Sequence, residues 1–332
     1  MSATDGTLNA TDNVGVAGTL SRGALQSVGA GVQISITAQN AITFDAALAS
    51  PIALQTGAAN SAQFIALNGN ISFGQVTESL TTAGGMITFV ATNGSISLGT
   101  LASNNGSIDI FSDVVDVAGT INAGTGIVSI HETTNGLNID VGTESPGSLS
   151  LTQAELNRVT AGALRIGAVN SGVISITSAI TLTTVPTLSL FAGGQINDGG
   201  AGTLNVAKLQ ASSANDDVII NNAGNDVDSI SGRSAASFNF RFTDSDGFAI
   251  DTVDGVAGIS NTTAVSSDID LTPRAPSSSP RRSPRSAPVT LRSPPAAIST
   301  SPAPASASTH RFWRRPAMAT SPCVRPVRSA AT

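Results

Sequence analysis

The phrase Gly106-Ser107-Ile108-Asp109-Ile110 decides the fold, because the chain repeats its pattern of glycine, any residue, apolar, any residue, apolar. Each copy predicts a turn residue followed by a short strand with one apolar and one mostly polar face. A repeated strand that cannot bury its apolar face alone must stack on copies of itself. The nine copies begin at Gly69, Gly85, Gly94, Gly106, Gly126, Gly147, Gly162, Gly172 and Gly202.

The spacing of these phrases favours a solenoid over a set of hairpins. Gly85, Gly106, Gly126 and Gly147 follow one another at intervals of 20 or 21 residues, which fits one coil of a parallel β-helix. Asn-Gly pairs such as Asn93-Gly94 are also typical of hairpin turns, so an antiparallel sandwich stays open as the alternative. We expect an all-β fold, a parallel β-helix (β-solenoid) of about twelve coils with roughly 4.8 Å between coils.

In each coil the two apolar residues of the phrase should point inward and the residue between them outward. The expected inner residues include Ile71, Phe73, Ile108, Ile110, Val128, Ile130, Leu149 and Leu151.

The segment Leu151–Val159 departs from the strand pattern because its apolar residues follow helical spacing. Within it, Thr152 and Glu155 stand at the spacing of a capping box. We predict a short helical turn at a corner, ended by Gly162. Residues 1–30 are expected to belong to the strand array like the rest of the domain.

Composition divides the chain near residue 270. Residues 1–270 hold all 22 acidic residues and six basic ones, a net charge of −16, whereas residues 271–332 hold ten arginines and no acid, a net charge of +10. Twelve of the 15 prolines fall at Pro273 or later, and proline cannot donate to a sheet ladder. We expect a β-solenoid repeat domain at 1–270 and a disordered Arg/Pro/Ser-rich tail at 271–332.

Three explanations of the tail stay open. A basic arm would bind anions such as nucleic acid or acidic lipid heads. A disordered linker needs no ligand. Translation out of frame gives the same abrupt change after Thr272, and this abruptness favours it. No specific nucleic-acid partner is expected.

The single cysteine, Cys323, lies in the tail, so residues 1–270 form neither disulfides nor a thiolate metal site. The opening residues Met1–Gly6 are polar and acidic and do not match a signal peptide. No apolar run approaches the roughly 20 residues of a transmembrane helix. The expectation is a fragment of a longer exported protein, or else a cytoplasmic solenoid.

Two groups of residues resemble phrases that recur in large filamentous-haemagglutinin-like bacterial surface proteins. One is Thr152–Gly167, and the other joins Asn225–Ile230, Phe242–Ile250 and Thr252–Val256. The similarity covers roughly residues 30–270. It implies a right-handed β-helical rod of the two-partner secretion type, exported through an outer-membrane pore and used in adhesion. The chain departs from that family by lacking a signal peptide and an amino-terminal secretion domain.

Few residues carry candidate chemistry. Asp244-Ser245-Asp246-Gly247 resembles the start of a calcium loop, which makes Asp244 and Asp246 the metal candidates. The third oxygen ligand before the glycine and the later bidentate Glu of an EF-hand are missing. Asx turns account for the same residues without a metal.

We expect no catalytic residue and no cofactor. A glycoside hydrolase needs two converging carboxylates, and the carboxylates of this chain are scattered. They include Asp109, Asp140, Asp216, Asp217 and Asp228. His131 is expected at a solvated corner, and Arg158 and Arg165 are expected to pair with acids or to cover apolar surface.

These observations lead to one functional expectation with two alternatives. We expect a non-enzymatic structural or adhesive rod from a bacterial surface or secreted protein, with a host-cell surface glycan or protein as its partner. Its open sheet edges favour end-to-end self-association. The alternatives are a polysaccharide-acting β-helix lyase or hydrolase, and an inert fragment of a truncated gene.

The inward and outward assignments are testable at neighbouring positions. Ile110→Asp should destabilise the coil strongly because it places a charge among stacked apolar residues. Asp109→Ser should be nearly silent because residue 109 is expected to face solvent. Thermal melts of the two variants measure the difference, and equal losses would contradict the assignment.

Overall fold

The computed structural model of the chain describes residues 7–8, 18, 20–44, 51–261, 267–273 and 289–292. The chain divides into two units, Met1–Pro295 and Ala296–Thr332, and the second lies outside the described residues. The first unit is built from short strands and two short helices, as the repeated phrase predicts.

The elements follow one another in short segments along the first unit. In the first part they are β1 (Thr7–Leu8), α1 (Arg22–Gln26), β2 (Ile34–Ala38), β3 (Ile42–Phe44), β4 (Ile52–Gly57), β5 (Ser61–Ala66), β6 (Ile71–Phe73), β7 (Ser79–Ala83), β8 (Met86–Ala91), β9 (Ser95–Leu98), β10 (Thr100–Ala102), β11 (Ile108–Phe111), β12 (Val114–Val117), β13 (Ile121–Asn122), β14 (Ile127–His131) and β15 (Ile139–Gly142). In the second part they are β16 (Leu149–Thr152), α2 (Gln153–Leu156), β17 (Val159–Thr160), β18 (Ala163–Ile166), β19 (Ile174–Ile176), β20 (Ala179–Thr181), β21 (Thr187–Ala192), β22 (Ile196–Asn197), β23 (Thr203–Ser213), β24 (Val218–Ile220), β25 (Asp226–Ser234), β26 (Phe240–Asp244), β27 (Ala249–Ile250), β28 (Thr252–Val253), β29 (Val256–Ala257), β30 (Ile259–Asn261), β31 (Asp268–Pro273) and β32 (Val289–Arg292).

The strands stack into three parallel faces. The first face follows the order β1-β2-β5-β8-β11-β14-β18-β21-β23-β25-β27, eleven strands along one ladder. The second face runs β3-β6-β9-β12 and continues as β16-β15-β19-β22-β24-β26-β31, and the third runs β4-β7-β10-β13-β17. Within these three faces every ladder pair is parallel, as between β8, β11, β14 and β18, so the parallel β-helix is confirmed and the antiparallel sandwich is wrong.

Alternating burial follows the phrase through every coil. Ile108 stands in register with Ile87 on one side and Val128 on the other, and all three are fully buried. Every phrase of the sequence begins a strand. The eight residues expected to point inward are buried, which confirms them: Ile71, Phe73, Ile108, Ile110, Val128, Ile130, Leu149 and Leu151.

The glycine that opens a phrase is required by the contact between coils in eight of the nine phrases, whereas Gly147 has open space around it and a φ angle of 83°. A Cβ on Gly106 would lie 2.6 Å from the carbonyl oxygens of Gly84 and Gly85, and one on Gly126 would lie 2.3 Å from that of Gly106. Gly106 and Gly126 do not have positive φ angles. Their role is therefore to let corner backbones approach closely rather than to permit a left-handed turn.

One coil carries an extra strand on the second face. Between the first-face strands β14 and β18 the chain visits the second face twice, as β15 and β16, which pair in parallel. β15 continues the ladder towards β19. β16 instead faces β12, and in the described part of the chain no ladder joins those two strands.

Side chains in and next to the helical turn α2 form the hydrogen bonds that a strand's backbone would otherwise make to the neighbouring coils. The Glu155 carboxylate accepts from the backbone N–H of Val117 at 3.0 Å, and Arg158 donates to the carbonyl of Val117 at 2.6 Å. On the other side, the Gln153 side-chain amide accepts from the N–H of Thr181 and donates to its carbonyl. Both flanking strand ends thus keep their hydrogen bonds across a helix.

The predicted capping box is confirmed, and three boundaries differ from expectation. Thr152 and Glu155 bond reciprocally, but the helix stops at Leu156 and Gly162 lies just before β18, because the strand phrase resumes there. Residues 22–26 form helix α1, capped by Ser21, where a strand array was expected. β31 runs past the predicted domain boundary at 270.

The predicted tail is described only in part. Residues 271–273 complete β31, and residues 289–292 form β32, which pairs antiparallel with β31. The described edge of β31 is therefore covered rather than open. The other residues of the predicted tail lie outside the described residues.

Glu155→Ala should test the side-chain closure of the irregular coil. We expect a loss of about 2 to 4 kcal/mol in the free energy of unfolding, because the capping box is lost and the N–H of Val117 is left without a partner. Asp228→Ala, which removes an exposed carboxylate on β25, is the control and should change stability by less than about 0.5 kcal/mol. Urea unfolding followed by circular dichroism measures both, and equal losses would contradict the proposed closure.

Candidate binding surface

The outer side of the first face carries two in-register columns of side chains. The outer apolar column consists of Ile65, Val90 and Phe111 and ends at His131, all half-buried on consecutive coils. The Phe111 and His131 rings meet edge to face at 4.0 Å between centroids. The outer polar column runs beside it through Gln63, Thr88, Asp109, Ser129, Arg165, Ser189, Gln210 and Ser231.

A hairpin crosses the second half of the outer polar column. β27 and β30 both pair with β25, and residues 252–257 leave the ladder between the backbone bonds that join Asp251 to Ile230 and Gly258 to Gly232. β28 and β29 form an antiparallel pair around Asp254 and Gly255, whose φ angles of 48° and 80° are those of a tight hairpin turn. We call residues 251–258 the strap, because the hairpin runs back along the first face and its tip contacts Arg165 on β18, four strands away from β27.

An ion pair between Asp254 and Arg165 holds the tip of the strap against the first face. Arg165 donates from Nε and Nη2 to the two carboxylate oxygens of Asp254 at 2.8 and 2.7 Å, and Ser189 donates to the same carboxylate at 2.7 Å. Burial acts to raise the pKa of Asp254, but the bonds from Arg165 and Ser189 outweigh it and hold that pKa below its ordinary value. The same contact raises the pKa of Arg165.

The strap also buries an apolar residue and three polar ones. Val253 is 1% exposed, and its carbonyl accepts from Ser231 Oγ at 3.2 Å. Ser189, Gln210 and Ser231 are fully buried although they occupy outward positions. Gln210 Oε1 has no hydrogen-bond partner beneath the strap.

Acidic side chains at the corners mostly bond backbone of an adjacent coil. Asp113 accepts from the N–H groups of Thr133 and Thr134 and from both of their hydroxyls. Burial acts to raise the pKa of Asp113, but these bonds outweigh it and lower that pKa. Asp217 likewise accepts from the N–H of Asn239.

The two calcium candidates occupy one such corner. Asp244 is fully buried and accepts from the N–H groups of Val227, Asp246 and Gly247, so both of its oxygens are engaged. Asp246 is exposed at the same corner. Partial burial, with repulsion from Asp246, Asp244 and Asp228, raises the pKa of Asp226. Across the described residues, no group of three or more His, Cys, Asp and Glu side chains is arranged to hold a metal ion.

The other candidates from the sequence stand on different coils. Asp109 lies on β11, Asp140 on β15 and Asp228 on β25, so the structure does not gather them into one site. Arg165 pairs with an acid, but that acid is 89 residues away in the sequence rather than nearby, and Arg158 donates to the carbonyl of Val117. The strap itself was not foreseen, but Asp254-Gly255 between two valines is a recognisable hairpin signal.

A cleft opens where β12 and β16 fail to pair. It has a volume of about 380 Å³, and Val114, 56% exposed, lies on its wall. Burial, followed by repulsion from Glu155 and Asp116, raises the pKa of Glu144 at its rim. The residues lining the cleft are Val114, Val115, Glu144, Ser145, Pro146, Gly147, Ser148 and Ser150.

Comparison with known proteins adds no relative: neither a family model, nor a curated protein, nor a solved structure matches the chain. Among the described residues, no helix is long and apolar enough to cross a membrane.

The lowered pKa of Asp113 predicts how stability depends on pH. A carboxyl whose pKa falls on folding adds stability above its ordinary value of 3.8, and this stability is lost as the pH falls through the lowered value. Between about pH 5 and pH 2, the Asp113→Asn variant should therefore lose less stability than the parent chain. Urea midpoints across that range measure the effect.

Asp109→Asn is the matched control, because Asp109 lies on β11, is half-buried and makes no hydrogen bond through its side chain to the described residues. It should keep the acid dependence of the parent chain. An identical acid dependence in all three proteins would contradict the role assigned to Asp113.

Proposed function

We propose that this chain is a non-enzymatic structural or adhesive rod segment of a bacterial surface or secreted protein, of the filamentous-haemagglutinin-like kind. Its partner would be a glycan or protein of a host-cell surface. The parent protein would act at the cell surface or outside the cell after export through an outer-membrane pore.

The observation that carries the proposal is the outer apolar column. Ile65, Val90, Phe111 and His131 stand outside the core on four consecutive coils, spaced about 4.8 Å apart. Apolar and aromatic side chains that adjoin one another at outward positions mark interaction surfaces more often than single exposed apolar side chains do. Gln63, Asp109 and Ser129 flank the column, and their side chains make no hydrogen bond to the described chain, so they are available to a ligand.

The continuous first-face ladder supports the structural part of the proposal. Eleven strands joined in parallel hold the outer columns in fixed register. A surface that is flat, repetitive and rigid suits repeated weak contacts along an extended partner, because little conformational entropy is lost when the partner binds.

The cleft beside Glu144 favours a second candidate, a polysaccharide-acting lyase or hydrolase. Slight burial and neighbouring carboxylates raise the pKa of Glu144, which is the direction of shift that a general acid needs. Asp116 and Glu155 are the neighbouring carboxylates, but Glu155 is already bonded to the backbone of Val117 and Thr152.

Binding by the full chain tests the proposal. The protein should bind cultured epithelial cells or immobilised glycans, and Phe111→Ser should weaken that binding roughly tenfold or more because it removes the centre of the outer apolar column. Val114→Ser is the control: Val114 is an exposed apolar residue of the second face and its loss should leave binding unchanged.

Two outcomes would contradict the adhesive role. One is equal weakening by Phe111→Ser and Val114→Ser, and the other is no binding to any tested cell or glycan. Cleavage of a glycan that is lost in Glu144→Gln would instead support the enzyme.

A further inference from the structure

We propose that the strap, residues 251–258, is a lid that opens and closes over the first face while the solenoid beneath stays folded. The Arg165–Asp254 contact is its latch. This inference does not depend on the adhesive role, because it concerns the accessibility of Ser189, Gln210 and Ser231 rather than what binds them.

The connection of the strap to the ladder permits such movement. Both ends of the strap return to the same neighbour, since β27 and β30 pair with β25 on either side of it. Asp251 and Gly258 close the base through a bond from the Gly258 N–H to the Asp251 carbonyl at 2.9 Å. The base itself stays on the ladder, because the Asp251 N–H donates to the carbonyl of Ile230 and the Gly258 carbonyl accepts from the N–H of Gly232. Opening therefore moves residues 252–257 and leaves these ladder bonds in place.

The strap is held down at few points. Val253 is buried and Asp254 is 9% exposed at its side chain, whereas Asp251, Thr252 and Ala257 are exposed. Arg165, the partner of Asp254, is itself 38% exposed, so water reaches the latch. Segments with few buried contacts open locally at a lower free energy than the whole fold.

The surface under the strap is incompletely satisfied when the strap is closed. Gln210 is fully buried, and its Oε1 has no partner, while its Nε2 donates to Ser212 at 2.5 Å. A buried acceptor without a partner disfavours the closed state, because water would satisfy it in the open state. The bidentate ion pair opposes this cost.

Opening would lengthen the accessible part of the outer polar column. Arg165, Ser189, Gln210 and Ser231 follow one another in register on four strands, continuing the column of Gln63 to Ser129. The strap thus controls how much of the first face is presented. When the strap is open, Arg165 and Ser189 would be free to bind a carboxylate of a ligand, because they bind the carboxylate of Asp254 when the strap is closed.

Thiol labelling measures this opening directly, because Cys323 is the only cysteine of the chain. On a Cys323→Ser background, Ser231→Cys places a thiol beneath the strap and Val227→Cys places one on the same strand facing the core. We expect the cysteine at 231 to react with a thiol reagent faster than the cysteine at 227. The rate at 231 should not change in low urea, because local opening exposes little surface compared with global unfolding. Asp254→Asn should raise the rate at 231 about ten- to a hundredfold and leave the rate at 227 unchanged.

Asparagine tolerates the left-handed backbone of residue 254, so this variant should keep the hairpin turn. Arg165→Gln removes the latch from the other side and should give the same result. Equal labelling rates at 231 and 227 with the same urea dependence would show that the strap opens only on global unfolding and would overturn the proposal. The same holds if both latch variants accelerate the two sites equally.

Discussion

The fold depends on one constraint: the backbone N–H and C=O groups of a strand in a parallel stack must form hydrogen bonds with the coils on either side. The groups cannot be satisfied within one coil, so a coil is stable only between two neighbours. Regular coils meet the constraint with strands in register, as Ile87, Ile108 and Val128 illustrate. Where the backbone departs from a strand, its groups bond backbone of the same corner or of the next coil, as the Gly162 N–H bonds the Gly126 carbonyl, or a side chain supplies the partner.

Corners and insertions follow this rule in the same way. Asp113, Asp217 and Asp244 each accept from the backbone of another coil, and the acidic composition of the domain is partly explained by this use. α2 applies the rule at larger scale, since Gln153 and Glu155 stand in for two strands at once. Polar side chains that look like candidate ligands in the sequence are thus largely engaged in the architecture.

The repeated phrase and its 20- to 21-residue interval were sufficient to predict the parallel fold and the inward residues. The spacing of Thr152 and Glu155 predicted the capping box of α2. The requirement for glycine at Gly106 was predicted for a different reason, a turn, since contact with the carbonyl of Gly85 on another coil has no local signature. The Arg165–Asp254 pair spans 89 residues and depends on the exact stacking register, so no pattern in the sequence revealed it. Helix α1 was missed because its five residues are too few to show a period.

The closure around α2 bears on how such arrays change over evolutionary time. Because Gln153 offers Thr181 the same donor and acceptor that a peptide group would, the adjoining coil is bonded as if a strand were present. A segment that supplies donors and acceptors like those of the backbone on both of its borders can be inserted without leaving those borders unbonded. The alteration of the array is then confined to the second face, where β12 and β16 do not pair, while the first-face ladder continues unbroken from β14 to β18.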